Sequence, residues 1–260
     1  MNLTLRGLNV LVCGATDGIG KATALAFANS GAHVAAFARS DEKLSKLLEQ
    51  MSGSGHEKLV ADFDNPGEVR GVVEKFLDQG RRIDVVVNNS GGPPGGPLET
   101  ANLEAFHTAM NRLLLSSHEI VRTCLPGMKE RSFGRIINII STSVRQPLDN
   151  LGVSNTIRSA TSAWSKTLSR EVAPYGVTVN NVLPGATATQ RLASIMENTA
   201  ARKGISVEDV ERDMTGEIPM QRFAQPSEIA AGVLFLASEE ASYITGINLT
   251  IDGGRTRSLL

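Results

Sequence analysis

The stretch "VSNTIRSA" at residues 153–160 sets Ser154 and Arg158 four residues apart, which puts a hydroxyl and a guanidinium on one face of a helix. Such a pair can grip a carboxylate or phosphate through the planar fork of the guanidinium, with the hydroxyl as a further hydrogen-bonding group. The plainer alternative is a serine that caps the helix beside a solvated arginine. Ser141 closes the apolar run "RIINIIS" at 135–141 and offers a second hydroxyl. The chain has only two phenols, Tyr175 in "EVAPYGVTVN" and Tyr243 in "ASYITG".

A second constellation lies near the amino end. In "CGATDGIGKATALAFA" the glycines Gly14, Gly18 and Gly20 are spaced G-x-x-x-G-x-G, with Thr16, Asp17 and Ile19 between them. A turn without Cβ atoms, leading into a helix N-terminus, lets a pyrophosphate approach the backbone and face the helix dipole. A plain strand-to-helix turn is the alternative. The end of the next apolar run chooses between dinucleotides, because a carboxylate there bonds the adenosine 2′-hydroxyl and an arginine accepts a 2′-phosphate. Here the run ends in "FARS", with Arg39 and Ser40. This favours NADP(H), while the negative charge of Asp17 leaves NAD(H) open. Asp62, followed by Phe63, is a candidate acceptor for the adenine amino group or else a solvated loop acid.

The elements that must position these residues alternate. Short β-branched runs at 8–14, 33–38, 57–62, 83–89, 135–141, 177–183 and 247–252 predict strands, several of them continuously apolar, as in a parallel sheet covered on both faces. Helical periods lie between them. Leu44, Leu47, Leu48 and Met51 line one face behind a capping Ser40, and Ile157, Ala160, Trp164 and Leu168 line one face of 155–172. The pattern implies an α/β fold: one doubly wound, Rossmann-type domain over residues 1–260, with a small helical lid at 190–220. A formal net charge of −1 gives no basic face for nucleic acid or an anionic membrane. No apolar run reaches membrane-spanning length, and the amino end has no signal-peptide pattern. Cys13 and Cys124 lack metal-ligand spacing, so the expectation is a metal-free, reduced, cytoplasmic protein. Cys13 reads as buried filler, and His107 and His118 as structural or surface residues. The loop "GGPPGGP" at 91–97 reads as an irregular connector placed to wall the site, and the tail "RTRSLL" as frayed or at a subunit contact.

Together these residues resemble the short-chain dehydrogenase/reductase family over nearly the whole length. The resemblance rests on Gly14, Gly18 and Gly20, on Asp62, on "NNSG" at 88–91, "RIINIIS", "VNNVLPG" at 179–185, "QRFAQPSEIA" at 221–230 and "IDGG" at 251–254. It implies about seven parallel strands, an NAD(P) cofactor and a homodimer or homotetramer. It places Asn89, Ser90 and Gly91 on the adenosine side, and Pro184, Gly185, Thr187 and Thr189 at the nicotinamide end. Within the family, 3-oxoacyl-carrier-protein reductases and sugar or alcohol dehydrogenases are the nearest in pattern.

The family's active site usually combines Asn, Ser, Tyr and Lys. By this resemblance Ser141 matches the serine, Ser154 stands at the tyrosine position, Arg158 at the lysine position and Leu113 at the asparagine position, with Asn111 two residues away. A phenol of pKa about 10 can act as general acid beside an ammonium. An aliphatic hydroxyl is far less acidic, and arginine does not give up its proton. Ser141, Ser154 and Arg158 are therefore the candidate catalytic set, the serines holding the reacting oxygen and Arg158 the ribose and an anionic substrate group. The expected activity is an NADP(H)-preferring oxidoreductase on a small carbonyl or alcohol, anionic ones included. The rival is a dinucleotide-binding regulatory or scaffold subunit without redox turnover.

Overall fold

The computed structural model describes residues 5–259. Seven parallel strands form one sheet in the order β3-β2-β1-β4-β5-β6-β7. They are β1 (Asn9–Cys13), β2 (His33–Ala38), β3 (Glu57–Val60), β4 (Val85–Asn88), β5 (Gly134–Ile139), β6 (Val177–Pro184) and β7 (Asn248–Ile251), and each lies within or against an expected apolar run. The first four residues, part of the amino-terminal stretch expected to carry no signal peptide, and the last leucine of the tail lie outside the described residues.

Nine helices lie among the described residues: α1 (Gly18–Asn29), α2 (Asp41–Leu48), α3 (Pro66–Asp78), α4 (Leu103–Met110), α5 (Ser116–Glu130), α6 (Gly152–Val172), α7 (Gln190–Lys203), α8 (Val207–Gly216) and α9 (Pro226–Ala237). Alternation along the strands splits the core into two layers. Val10, Val12, Val85, Val87 and Ile137 face α1 and α9, whereas Leu11, Cys13, Val86 and Ile136 face the side of α3 and α5. Strand order reverses between β1 and β4, and in such sheets ligands bind beyond the carboxyl ends at that point. The stretch 190–220 is helical, as its lack of a strand pattern implied.

Two local features depart from simple periodicity. Between α4 and α5 the helix widens into a π-helical turn at Asn111–Leu115. On α6 the expected face is corrected. Ile157 is buried, but the rest of the fully buried stripe is Thr161, Ser165, Ser169 and Val172, while Ala160, Trp164 and Leu168 are half-buried at its flank. The reason lies beneath it. Paired residues Asn88, Asn138, Asn181 and Asn248 form a side-chain hydrogen-bonded row across β4 to β7, at 2.8, 2.9 and 2.7 Å. Ser165 and Ser162 of α6 bond into that row. A buried amide row needs polar partners, so the polar side of α6 turns inward.

Candidate active site

The glycine turn joins β1 to α1 at the switch point. Gly14 has φ +58°, and a Cβ on it would lie 2.7 Å from the Asn89 side chain. A Cβ on Gly20 would lie 2.0 Å from the Gly14 carbonyl oxygen, so the strand and the helix can approach only without side chains there. Asn89, just beyond β4, donates through Nδ2 to the carbonyls of Cys13 and Gly14 (3.2 and 3.4 Å) and holds the turn from the neighbouring strand. Asp17 caps α1, accepting from the Gly18 N–H at 2.7 Å. Gly18 faces Thr189 across the turn. Thr16 and Ile19 are half-buried within it.

Around this turn the other expected cofactor residues divide. Arg39 is exposed at the end of β2 and makes no hydrogen bond or ion pair among the described residues, whereas Ser40 caps α2. Asp62 accepts from the Asp64 N–H at 3.0 Å and shapes the loop after β3. The Phe63 ring is buried against Phe37, with centroids 4.9 Å apart, and its carbonyl accepts from Ser116 Oγ. Ser90 donates to the Arg112 carbonyl, and Gly91 borders open space. Beyond β6, Gly185 packs on Asp252, Thr187 donates to the Gly185 carbonyl, and Thr189 caps α7. Pro184 ends β6.

The catalytic candidates meet past the carboxyl end of β5. Ser141 follows that strand and accepts from the Ser143 N–H at 3.0 Å, which leaves its own O–H as a donor. Ser154 is buried inside the first turn of α6, whose cap position is Leu151. Its Oγ accepts from Arg158 Nε at 3.1 Å, and Arg158 Nη1 donates to the Ile140 carbonyl at 2.5 Å. The alternative of a capping serine beside a solvated arginine is thereby corrected: the two side chains are bonded to each other and folded onto the end of β5. Desolvation, with the like charge of Arg191 adding to it, pushes the Arg158 guanidinium down to about 10.

Leu113 is buried in an apolar cluster with Ala109, Val153 and Ile157 and offers no polar group. Asn111 opens the π-helical turn and donates to the Asp64 carbonyl at 3.2 Å. Next to it, Arg112 makes a forked ion pair with Asp64, at 2.6 and 2.5 Å. Both tyrosines precede their strands, Tyr175 before β6 and Tyr243 before β7. In a parallel sheet this puts them at the edge opposite Ser141, and both are exposed. Cys13 and Cys124 are buried, and burial pushes both thiols up, Cys124 to about 12, so neither is a nucleophile at neutral pH. His118 accepts from Trp164 Nε1 at 3.3 Å if its Nδ1 is unprotonated, and His107 is exposed.

One functional candidate was missed at the sequence level. Arg191, in the first turn of α7, donates through Nη1 and Nη2 to the carbonyls of Gly92 and Pro93 (2.9 and 3.0 Å) and so ties α7 to the loop at 91–97. That loop also bonds to the start of α6 through Gly96 and Gly152. The only available signal was the position of Arg191 shortly after "LPG", and it does not reveal which loop the residue reaches.

Residues 14–256 match the sequence family described as enoyl-(acyl carrier protein) reductase. The chain is 32% identical over 252 residues to the NADPH-dependent reductase BacG of Bacillus subtilis (strain 168), covering 95% of this chain and 97% of that protein. It is also 32% identical over 255 residues to the 3-oxoacyl-[acyl-carrier-protein] reductase FabG of Vibrio cholerae, with 97% and 98% covered. The crystal structure of L-sorbose reductase from Gluconobacter frateurii, complexed with NADPH and L-sorbose, superimposes with a TM-score of 0.93 at 30% identity over the whole of both chains.

Proposed function

This chain belongs to the short-chain dehydrogenase/reductase family, and from that premise we propose that it is an NADP(H)-dependent oxidoreductase acting on a small carbonyl or alcohol compound through Ser141, Ser154 and Arg158. The observation that carries the reading is the convergence of two hydroxyls and a guanidinium past β5, with Arg158 bonded to Ser154 and to the carbonyl next to Ser141.

The residues present fit a pyridine dinucleotide. Gly14 and Gly20 keep a backbone cradle free of Cβ atoms at the N-terminus of α1, and the unpaired Arg39 stands where a 2′-phosphate would be held. The relatives named above for NADPH support the phosphorylated form. Such a cofactor supplies or accepts a hydride when bound.

The chain's own groups do the rest. Ser141 donates its O–H to the substrate oxygen and Ser154 lies beside it. The fixed charge of Arg158 stabilises negative charge developing on that oxygen, at no cost of reorganisation because its Nε and Nη1 are already committed. Neither serine nor arginine is a good proton source at neutral pH, so the alkoxide proton comes from water.

The test is NADPH oxidation over a panel of ketones, aldehydes and oxo acids, with NADP+ reduction over the matching alcohols. Turnover that falls at least tenfold in Arg158→Ala is the expected result. Tight NADPH binding with no turnover on any member of the panel overturns it in favour of a regulatory or scaffold subunit, the reading that the remote tyrosines favour.

A further inference from the structure

Of the arginines gathered near the catalytic serines, one is neutralised and two are not. Arg112 is forked onto Asp64, which raises its pKa. Arg158 and Arg191 have no carboxylate partner among the described residues, and their hydrogen bonds end on neutral acceptors: Ser154 Oγ and the carbonyls of Ile140, Gly92 and Pro93. They also face each other. A Cβ on the buried Gly92 would lie 3.0 Å from Arg158 Nη2 and 2.9 Å from Arg191 Nη2, so the two like charges meet across a single glycine. Desolvation lowers the pKa of both, and each feels a neighbouring arginine. Two cations brought together without a counterion are unfavourable in a protein unless an anion completes the set. Arg158 Nη2 makes no hydrogen bond of its own, and it is aimed at this point.

We propose that Arg158 and Arg191 together receive the anionic group of the substrate, so that the compound oxidised or reduced here carries a carboxylate close to its reacting carbon. This rests on the function proposed above and narrows its substrate class. Planar guanidinium forks match the two oxygens of a carboxylate. Their anchoring on backbone carbonyls fixes the receptor before the ligand arrives, which reduces the entropy lost on binding. Arg191 comes from the lid and Arg158 from α6, so an anion held between them also bonds the lid to the catalytic helix.

The probes are pyruvate, acetoacetate and levulinate, each compared with its methyl ester, which removes the charge and adds one methyl group. Each is titrated calorimetrically into the full chain with and without NADP+, so that binding is read without turnover. At least one acid binds about tenfold or more tightly than its ester. Arg191→Gln removes that preference, whereas Arg191→Lys, which keeps the charge but loses the fork and its anchorage on Gly92 and Pro93, retains part of it. The proposal is overturned if no acid outbinds its ester. It is also overturned if the glutamine and lysine variants lose the preference alike, which would make Arg191 a loop tether. A loss of NADP+ affinity in Arg191→Gln with the acid-to-ester ratio intact overturns it too, by assigning the charge to the dinucleotide. Failure of the unaltered chain to bind NADP+ would instead remove the dinucleotide reading, and the titrations without NADP+ would still decide on the anion.

Discussion

The chemistry turns on one pair of side chains. In the function proposed here, Ser154 and Arg158 offer a hydroxyl and a cation at the positions that the family resemblance gives to Tyr and Lys, and the 3.1 Å bond between them makes the pair a unit. What the pair lacks is a group that can both hold and release a proton near neutral pH. Ser154→Tyr combined with Arg158→Lys supplies one, and general acid catalysis is worth about 10²–10⁴-fold. The double variant should therefore raise kcat/KM on neutral ketones by roughly 10²-fold or more, while acids that use Arg158 lose affinity. Ser154 is buried, so the larger ring should lower stability by about 1–3 kcal/mol; a melting curve run beside the kinetics separates that effect from catalysis. Unchanged rates on ketones in a folded double variant would show that the pocket does not place a hydride acceptor near residue 154.

At the scale of elements, capping and buried polar rows set the frame. The amide row from Asn88 to Asn248 holds β4 to β7 in register and turns the polar side of α6 inward, and that rotation helps bring Ser154 and Arg158 to the end of β5. A helix outside the site shows how strongly local charge fixes a terminus. At the start of α9, Glu228 accepts from the Gln225 N–H and is forked onto Arg222, which holds its carboxyl down at about 2 instead of 4.5. The folded value lies below the unfolded one, so the contribution is fully present above about 4.5 and is lost as pH falls toward 2. Glu228→Gln should therefore melt earlier than the parent at neutral pH, and the two melting points should converge as the solution is acidified. A gap independent of pH would show that packing, not charge, holds this cap.

For the whole molecule, dinucleotide binding is linked to folding, because the glycine turn, Asn89, Thr189 and Arg39 come together only in the native sheet. Saturation at about a hundred times Kd adds about 2.7 kcal/mol, which for a chain of this size is roughly 5–10 °C in melting temperature. NADPH should give the larger shift, NADH at equal concentration a smaller one, and Arg39→Ala should close the gap; scanning fluorimetry reads all three, and equal shifts in the parent would remove Arg39 as the phosphate contact. Much of this was legible along the chain. The seven strands, the glycine turn and the arginine after β2 follow from residue type and spacing, because each depends on neighbours a few residues away, whereas Ser141, Ser154 and Arg158 are singled out by the family resemblance. The meeting of Arg158 with Arg191, the inward polar side of α6, the withdrawal of Phe63 into the core and the removal of both tyrosines to the far edge were decided only by the tertiary structure. Each depends on which distant segments the sheet and its crossovers bring into contact, and neither periodicity nor spacing encodes that.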